Sequence, residues 1–528
     1  MGFKLEEKGL NSLKKELSIL ILIFGLNLFL TLNLTPLFDL DEGAFSEATR
    51  EMLLRGDFIT TYLEGHLRFD KPILIYWLQA LLVSIFGPES WAFRLPSAIA
   101  TTLWGLTIYL FTTAQWGRKR GFWATFIFIT SLQIGLIGKA AIADALLNLW
   151  LAVAGFSLFL YLETRRERWL LFTFTGIGAG FLTKGPVAIL IPLATFFLWT
   201  LKSREWSFFW RSIFNWKGIL LFSIIALPWY IAEYLAQRWN FIVGFFLKHN
   251  LQRFETSFES HAGSIFYYIP VVLVGLLPWT TLLLRYLWNL KTHLTTRFGL
   301  FATLWFSFVF FFFSLSGTKL PHYLIYGYTP LFPLLALELE RCKSEFLLSL
   351  PMLLFLTLLF FLPFVARALL PTLQDQWVKV AILTLLPYFN SLYFGVIGGL
   401  IGVTLLPIGL HRKGILLGVA SVVVLNYILW IYAHFIQFPI RDVAHYLKRH
   451  QITQLVSWRL NTPSLSVYSG IIYQRRDPQP GDILLTKVTE LKNLPGFKPL
   501  LLKGGVALVE VTGKKRETPF HYRKDRRE

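Results

Sequence analysis

Residues 143–162 read ADALLNLWLAVAGFSLFLYL, and Arg165, Arg166 and Arg168 follow at once. At about 1.5 Å per residue, such a run matches a hydrocarbon layer about 30 Å thick. The arginines mark the end that stays in the cytoplasm. The pattern recurs along the chain, with apolar runs near 17–37, 94–115, 121–138, 169–184, 186–201, 217–236, 264–288, 298–315, 321–339, 346–366, 388–410 and 414–437. The expectation is an all-α polytopic membrane protein with about 13 transmembrane helices.

Composition agrees. Of 528 residues, 55% are hydrophobic and only 16% charged, whereas soluble domains carry about 25% charged residues. That excludes a purely soluble enzyme, a disordered chain and a collagen-like one. The single cysteine, Cys342, can form no internal disulfide. A net charge of +20 would ordinarily suggest nucleic acid. Here the basic residues cluster in alternate short loops: Arg118, Lys119 and Arg120; Arg165, Arg166 and Arg168; Lys202, Arg204, Arg211 and Lys217; Lys291 and Arg297; Arg341 and Lys343; Arg412 and Lys413. With Lys4, Lys8, Lys14 and Lys15 ahead of the first run, this parity puts the N-terminus in the cytoplasm and the charges against anionic lipid, with no nucleic-acid partner.

The same parity places loops 38–93 and 237–263 outside. The apolar runs stop near residue 438, so 1–437 reads as the membrane domain, 438–513 as a small extracytoplasmic α/β domain and 514–528 as a charged tail. In the small domain, 440–450 reads as a helix, and 464–468, 482–486 and 506–511 as strands.

Loop 38–93 holds most of the chemistry. Asp41 and Glu42 end the first apolar run and precede an amphipathic stretch. Asp41 suits either a helix N-cap or a general base at the membrane boundary. Asp70-Lys71-Pro72 precedes the aromatic stretch with Tyr76 and Trp77, so that Lys71 lies near a helix start, as a phosphate ligand or a snorkelling cation.

The pair Asp41-Glu42, the run Ser46-Glu47-Ala48-Thr49-Arg50-Glu51-Met52 and Phe69-Asp70-Lys71-Pro72 resemble the membrane glycosyltransferases that include bacterial aminoarabinose transferases and protein O-mannosyltransferases. The likeness continues through Ala143-Asp144, Leu182-Thr183-Lys184-Gly185-Pro186, His249 to Phe254, His261, Leu277-Pro278-Trp279 and Lys319-Leu320-Pro321-His322-Tyr323, in the family's order over residues 38–334. Every matched motif falls in or beside a loop assigned to the outside.

The resemblance implies a GT-C fold and inverting transfer of a sugar from a polyprenyl phosphate carrier to an envelope lipid, glycan or protein at the outer face of the inner membrane. Lipid A is among the acceptors it implies. Asp41 and Glu42 would be catalytic, and Lys71, Lys184, Arg253, Lys319 and Tyr323 would meet the donor phosphate, where charge develops as it leaves. Asp70, Asp144, His249 and His261 would position sugar or acceptor. A divalent metal ion is compatible with these carboxylates and histidines, although their spacing matches no recognised metal motif. Two departures stand out: Ala44 replaces the arginine that aminoarabinose transferases carry two residues after the acidic pair, and Asp70 replaces their glutamate. Both bear on the sugar and acceptor. A carrier or flippase for polyprenyl-linked glycans is the alternative, and it would place its key charges near the bilayer midplane.

Overall fold

A computed structural model describes residues 2–252 and 263–513, with side chains described for 13–247 and 263–513. Among these residues six helices are long and apolar enough to cross a membrane: Ser90–Trp116, Asp144–Thr164, Trp216–Gln237, Arg297–Leu315, Glu345–Leu369 and Leu410–Ile436. The number rises to eight if the bent pairs Tyr268–Gly275 with Thr280–Trp288 and Gln376–Tyr388 with Ser391–Leu405 each count as one span. The runs at 169–184 and 186–201 are filled by the shorter helices Glu167–Lys184 and Val187–Ser203, and three further runs are not straight, since hydropathy measures apolar length and not straightness. The run at 121–138 is split at Ser131, where the backbone turns extended between helices Arg118–Thr130 and Leu132–Ile137. The run at 321–339 begins as a 3-10 turn, Pro321–Gly327, and leaves only Leu331–Arg341 as α-helix. The run at 264–288 bends by 120°.

A chain of ion pairs gathers the basic loops at one end of the bundle: Arg118 with Glu16 (3.1 Å), Arg120 with Glu340 (3.0 Å), Arg165 with Glu205 (2.6 Å) and Lys217 with Glu167 (2.9 Å). The acidic loop lies beyond the other ends of the same helices. One hairpin shows how the sequence enforces this. Helices Asp144–Thr164 and Glu167–Lys184 are joined by a turn at Arg165 and Arg166 and run antiparallel, so their far ends, Asp144 and Lys184, meet. Close approach depends on Gly176, since a Cβ there would fall 2.8 Å from the Trp150 carbonyl and the Ala154 nitrogen of the facing helix. Asp144 in a first helical turn and Lys184 in a last one also complement the helix dipoles.

The C-terminal part forms its own apolar core around Ile440, Val443, Leu447, Leu465, Leu485 and Leu508. Helix Phe438–Arg449 packs beside a five-stranded sheet whose spatial order is Gln474–Arg475, Val456–Ser457, Ile483–Lys487, Val506–Val511 and Phe497–Lys503. The first two pairings are parallel and the last two antiparallel. The segment expected as a strand at 464–468 is instead a short helix, Pro463–Ser469. Pro463 at its start and Gly470 in the left-handed conformation at its end are helix punctuation, and they override the apolar alternation.

Candidate active site

The acidic pair opens helix Asp41–Arg55, and its two carboxylates have opposite surroundings. Leu40, not Asp41, occupies the cap position, and no side chain caps the helix. Asp41 is exposed, and among the described residues its carboxylate has no hydrogen bond or ion pair. Glu42 is buried, and its two oxygens accept from Arg94 Nε (2.8 Å), Arg94 Nη2 (2.6 Å), Phe38 N (2.8 Å) and Ala141 N (2.7 Å). Burial opposes the charge on Glu42, but Arg94 and the two amides outweigh it and hold the carboxyl below its usual range. Arg94 spends its remaining donors on the carbonyls of Leu32, Thr35 and Pro36. This buried pair therefore ties the end of the first apolar segment, the acidic helix and the 138–143 turn together.

Asp41 borders a cavity of about 300 Å³ whose polar wall includes Asp39, Asp41, Glu42, Arg94, Lys139 and His322, with Phe38, Leu136 and Tyr432 on the apolar side. Lys139 is buried and donates to the Asn27 carbonyl (3.0 Å), Thr31 Oγ1 (2.8 Å) and Asn426 Oδ1. Desolvation, with Arg94 nearby, pushes its pKa down to about 7. His322 connects this cavity to a second group, with its Nε2 3.8 Å from Asp144 Oδ1. There Lys184 Nζ donates to Asp144 Oδ1 (2.7 Å) and to the Tyr326 hydroxyl (2.6 Å), which in turn donates to Asp144 (2.6 Å). The Tyr323 ring lies 5.7 Å from the Lys184 ammonium.

Asp70 and Lys71 form a further ionic group with Arg68 at the start of helix Leu74–Phe86. Arg68 donates to Asp70 (3.0 Å), Lys71 lies 3.7 Å from the same carboxylate, and the Arg68 guanidinium sits over the Phe45 ring of the acidic helix. Lys319 is buried and donates to the Ser316 carbonyl at 2.7 Å. The His249 side chain, Arg253 and His261 lie outside the described residues. Among the described residues no group of three His, Cys, Asp or Glu side chains is placed to hold a metal ion.

Arg94, Lys139 and Tyr326 join the site without belonging to the sequence motifs that carry the resemblance. The signal for the first two is a lone cation at the edge of an apolar run, which needs a partner.

Asp39 carries a pH signature. Burial pushes its carboxyl up to about 7, against hydrogen bonds from Ser464, with Glu42 and Glu64 adding to the rise. A raised acid pKa stabilises the fold fully below the ordinary value of 3.8, and that contribution is lost as pH rises to about 7. The stability difference between wild type and Asp39→Asn in detergent, measured by thermal unfolding, is therefore expected to shift steadily against wild type over that window and to level off above it. A difference independent of pH would contradict this.

Comparison with known proteins follows the same lines. Residues 70–231 match the family profile described as dolichyl-phosphate-mannose-protein mannosyltransferase. Over 338 residues the chain is 32% identical to the undecaprenyl phosphate-alpha-4-amino-4-deoxy-L-arabinose arabinosyl transferase of Yersinia enterocolitica, covering 62% of this chain and 60% of that protein. The protein of the same name from Yersinia pestis is 31% identical over 340 residues, with the same coverage. The match thus spans 60% of the length of these curated relatives. The crystal structure of ArnT from Cupriavidus metallidurans bound to undecaprenyl phosphate superposes with a TM-score of 0.76 at 18% identity, over 94% of this chain and 98% of that one. Its apo form gives 0.75 at 18% identity, over 96% and 99%. The chain has the GT-C fold of ArnT, and the likeness to the aminoarabinose transferases carried by its motifs extends to sequence similarity over most of its length.

Proposed function

We propose that the chain is a multi-pass inner-membrane glycosyltransferase that moves a pentose or hexose from a polyprenyl phosphate carrier to an envelope acceptor, either lipid A, another glycolipid or glycan, or a protein. The observation that carries this is the Asp41 carboxylate, without a hydrogen bond or ion pair among the described residues, on a cavity whose far wall leads through His322 to the Asp144–Lys184–Tyr326 group. The names of the similar proteins, and the undecaprenyl phosphate bound in the ArnT structure, support the donor class. In this reading the acceptor oxygen attacks the anomeric carbon, the bond from that carbon to the phosphate oxygen breaks with inversion, and Asp41 takes the acceptor's proton if the acceptor is a hydroxyl. An acceptor that is already an anionic phosphate needs no base, and Asp41 then orients the donor sugar.

Lys184, Lys71, Lys319 and Arg253 neutralise the departing phosphate, because cations aimed at developing charge lower the barrier, and Tyr323 hydrogen-bonds it. Asp144 holds Lys184 in place. Asp70 holds Lys71, and His249 and His261 belong to the acceptor side. Glu42 acts by fixing the acidic helix against Arg94. The basic loops face the cytoplasm together with the N-terminus, and the site and C-terminal domain lie outside. A flippase is disfavoured, since the Asp41 carboxylate sits in a loop-borne helix at the bundle's end and not in a broken helix at the midplane.

Mass spectrometry of envelope lipids and glycans with and without the protein is expected to reveal one added sugar mass, which names sugar and acceptor together. Identical spectra would contradict the proposal. Lys184→Met is expected to lower kcat/KM for the donor by about 100-fold, measured as initial rates of transfer. Lys184→Met also leaves the buried Asp144 carboxylate with Tyr326 as its remaining close donor and so lowers stability, and a thermal unfolding curve on the same preparation separates that loss from the loss of rate.

A further inference from the structure

The membrane part alone does not account for how the segment leading into Asp41 is held. Residues 37–39 have no regular structure; Phe38 is held by the acidic helix itself, its N donating to Glu42 and its carbonyl accepting from Gly43 N (3.1 Å), whereas the polar groups of Leu37 and Asp39 are met by the C-terminal domain or by the joint that leads to it. The Tyr468 hydroxyl accepts from Leu37 N at 2.6 Å and pairs with Ser90 Oγ at 2.9 Å. The Gln437 side-chain amide, oriented so that donor meets acceptor, donates to the Leu37 carbonyl (2.8 Å) and accepts from Asp39 N (2.9 Å). Ser464 donates twice to the Asp39 carboxylate, from its backbone N (2.9 Å) and its Oγ (2.5 Å).

Packing around these bonds is tight. A Cβ on Gly43 would lie 2.1 Å from Asp39 Oδ1 and 2.6 Å from Ser464 N, so the first turn of the acidic helix rests directly on the Asp39–Ser464 pair. The short helix Pro463–Ser469 faces two ways. Leu465 enters the core of the C-terminal domain, while Val467 packs with Leu37, Val83 and Phe93 at the rim of the membrane part. A second tether lies on the hairpin that follows the acidic helix, where Glu64 accepts from the Tyr473 hydroxyl (2.6 Å) and Arg475 Nε (2.7 Å).

We propose that the C-terminal domain is part of the catalytic apparatus: Ser464 and Tyr468 are positioning residues that fix residues 37–39 and thereby aim the Asp41 carboxylate into the cavity. The inference rests on the assignment of Asp41 made above. Neither Ser464 nor Tyr468 lines the cavity; Tyr468 acts through the Leu37 backbone and Ser464 through Asp39, whose side chain does line it, and neither touches substrate. A carboxylate displaced by about 1 Å loses about 100-fold in rate, and the loss falls on kcat because the donor phosphate is met elsewhere.

The test uses the full chain in detergent or lipid. The double variant Ser464→Ala/Tyr468→Phe deletes two hydroxyls without adding volume. It is expected to lower kcat at least about tenfold, to leave KM for a polyprenyl phosphate-linked sugar within about twofold, and to raise amide hydrogen exchange at residues 37–44. Asp39→Asn, which still accepts from Ser464 N and exchanges a hydrogen bond with its hydroxyl, is expected to keep exchange at the wild-type level. If the double variant is too unstable to purify, Ser464→Ala alone carries the same three measurements with a smaller effect. Wild-type kcat in the double variant, a change confined to KM, or unaltered exchange at 37–44 would each overturn the proposal. Should the wild-type protein turn over no such donor, the functional assignment fails, while the exchange data still decide whether these contacts hold the segment.

Discussion

Asp41→Asn is expected to reduce sugar transfer to a hydroxyl acceptor by about 10²–10⁴-fold, the usual contribution of a positioned general base, and transfer to a phosphate acceptor through loss of sugar positioning, while the protein inserts, purifies and unfolds as wild type does. The contrast with its neighbour is the reason for expecting so clean a separation. Asp41 is exposed at the cavity and supports no hydrogen bond among the described residues, so the isosteric amide removes charge and basicity without disturbing packing. Initial transfer rates at saturating donor, with a thermal unfolding curve on the same preparation, check both halves. Wild-type turnover would remove Asp41 from the chemistry.

Glu42→Ala is expected to fail in the opposite way, with loss of stability preceding loss of rate. Its side chain and that of Arg94 are 6% and 4% exposed, and removing one partner of such a buried pair costs about 3–5 kcal/mol. Phe38 N and Ala141 N lose their acceptor at the same time. Arg94→Ala is expected to match it, and the double variant to be less destabilised than the sum, since neither charge is then left alone. Chemical or thermal unfolding in detergent measures this cycle. Strict additivity would mean the two side chains do not act as a pair.

The sequence disclosed some of this arrangement and concealed the rest for identifiable reasons. The hairpin that joins Asp144 to Lys184 is legible because two apolar runs separated by three arginines must fold back antiparallel across a membrane, and that leaves the motif residues at adjacent ends. Broken helices are not legible, because an apolar run that bends at 275–280 or turns extended at Ser131 has the same hydropathy as a straight one. Adjacent carboxylates look equivalent in the sequence. Only Arg94, 52 positions away, gives Glu42 a buried ion pair that Asp41 lacks among the described residues. Lys139 was hidden similarly, since its partners Asn27, Thr31 and Asn426 come from distant segments. The segment at 464–468 alternates like a strand, but the flanking Pro463 and Gly470 were the stronger signals.

The proposed reaction breaks the bond to a prenyl phosphate in the cavity beside Asp41. The most direct test reconstitutes the protein in liposomes with a polyprenyl phosphate-linked radiolabelled sugar and an envelope lipid extract as acceptor, and follows both halves of the donor. Label is expected to move to the acceptor while free polyprenyl phosphate accumulates in equal amount, and Asp41→Asn is expected to do neither. Intact donor appearing in the opposite leaflet with no free polyprenyl phosphate would contradict this reaction and identify a transporter.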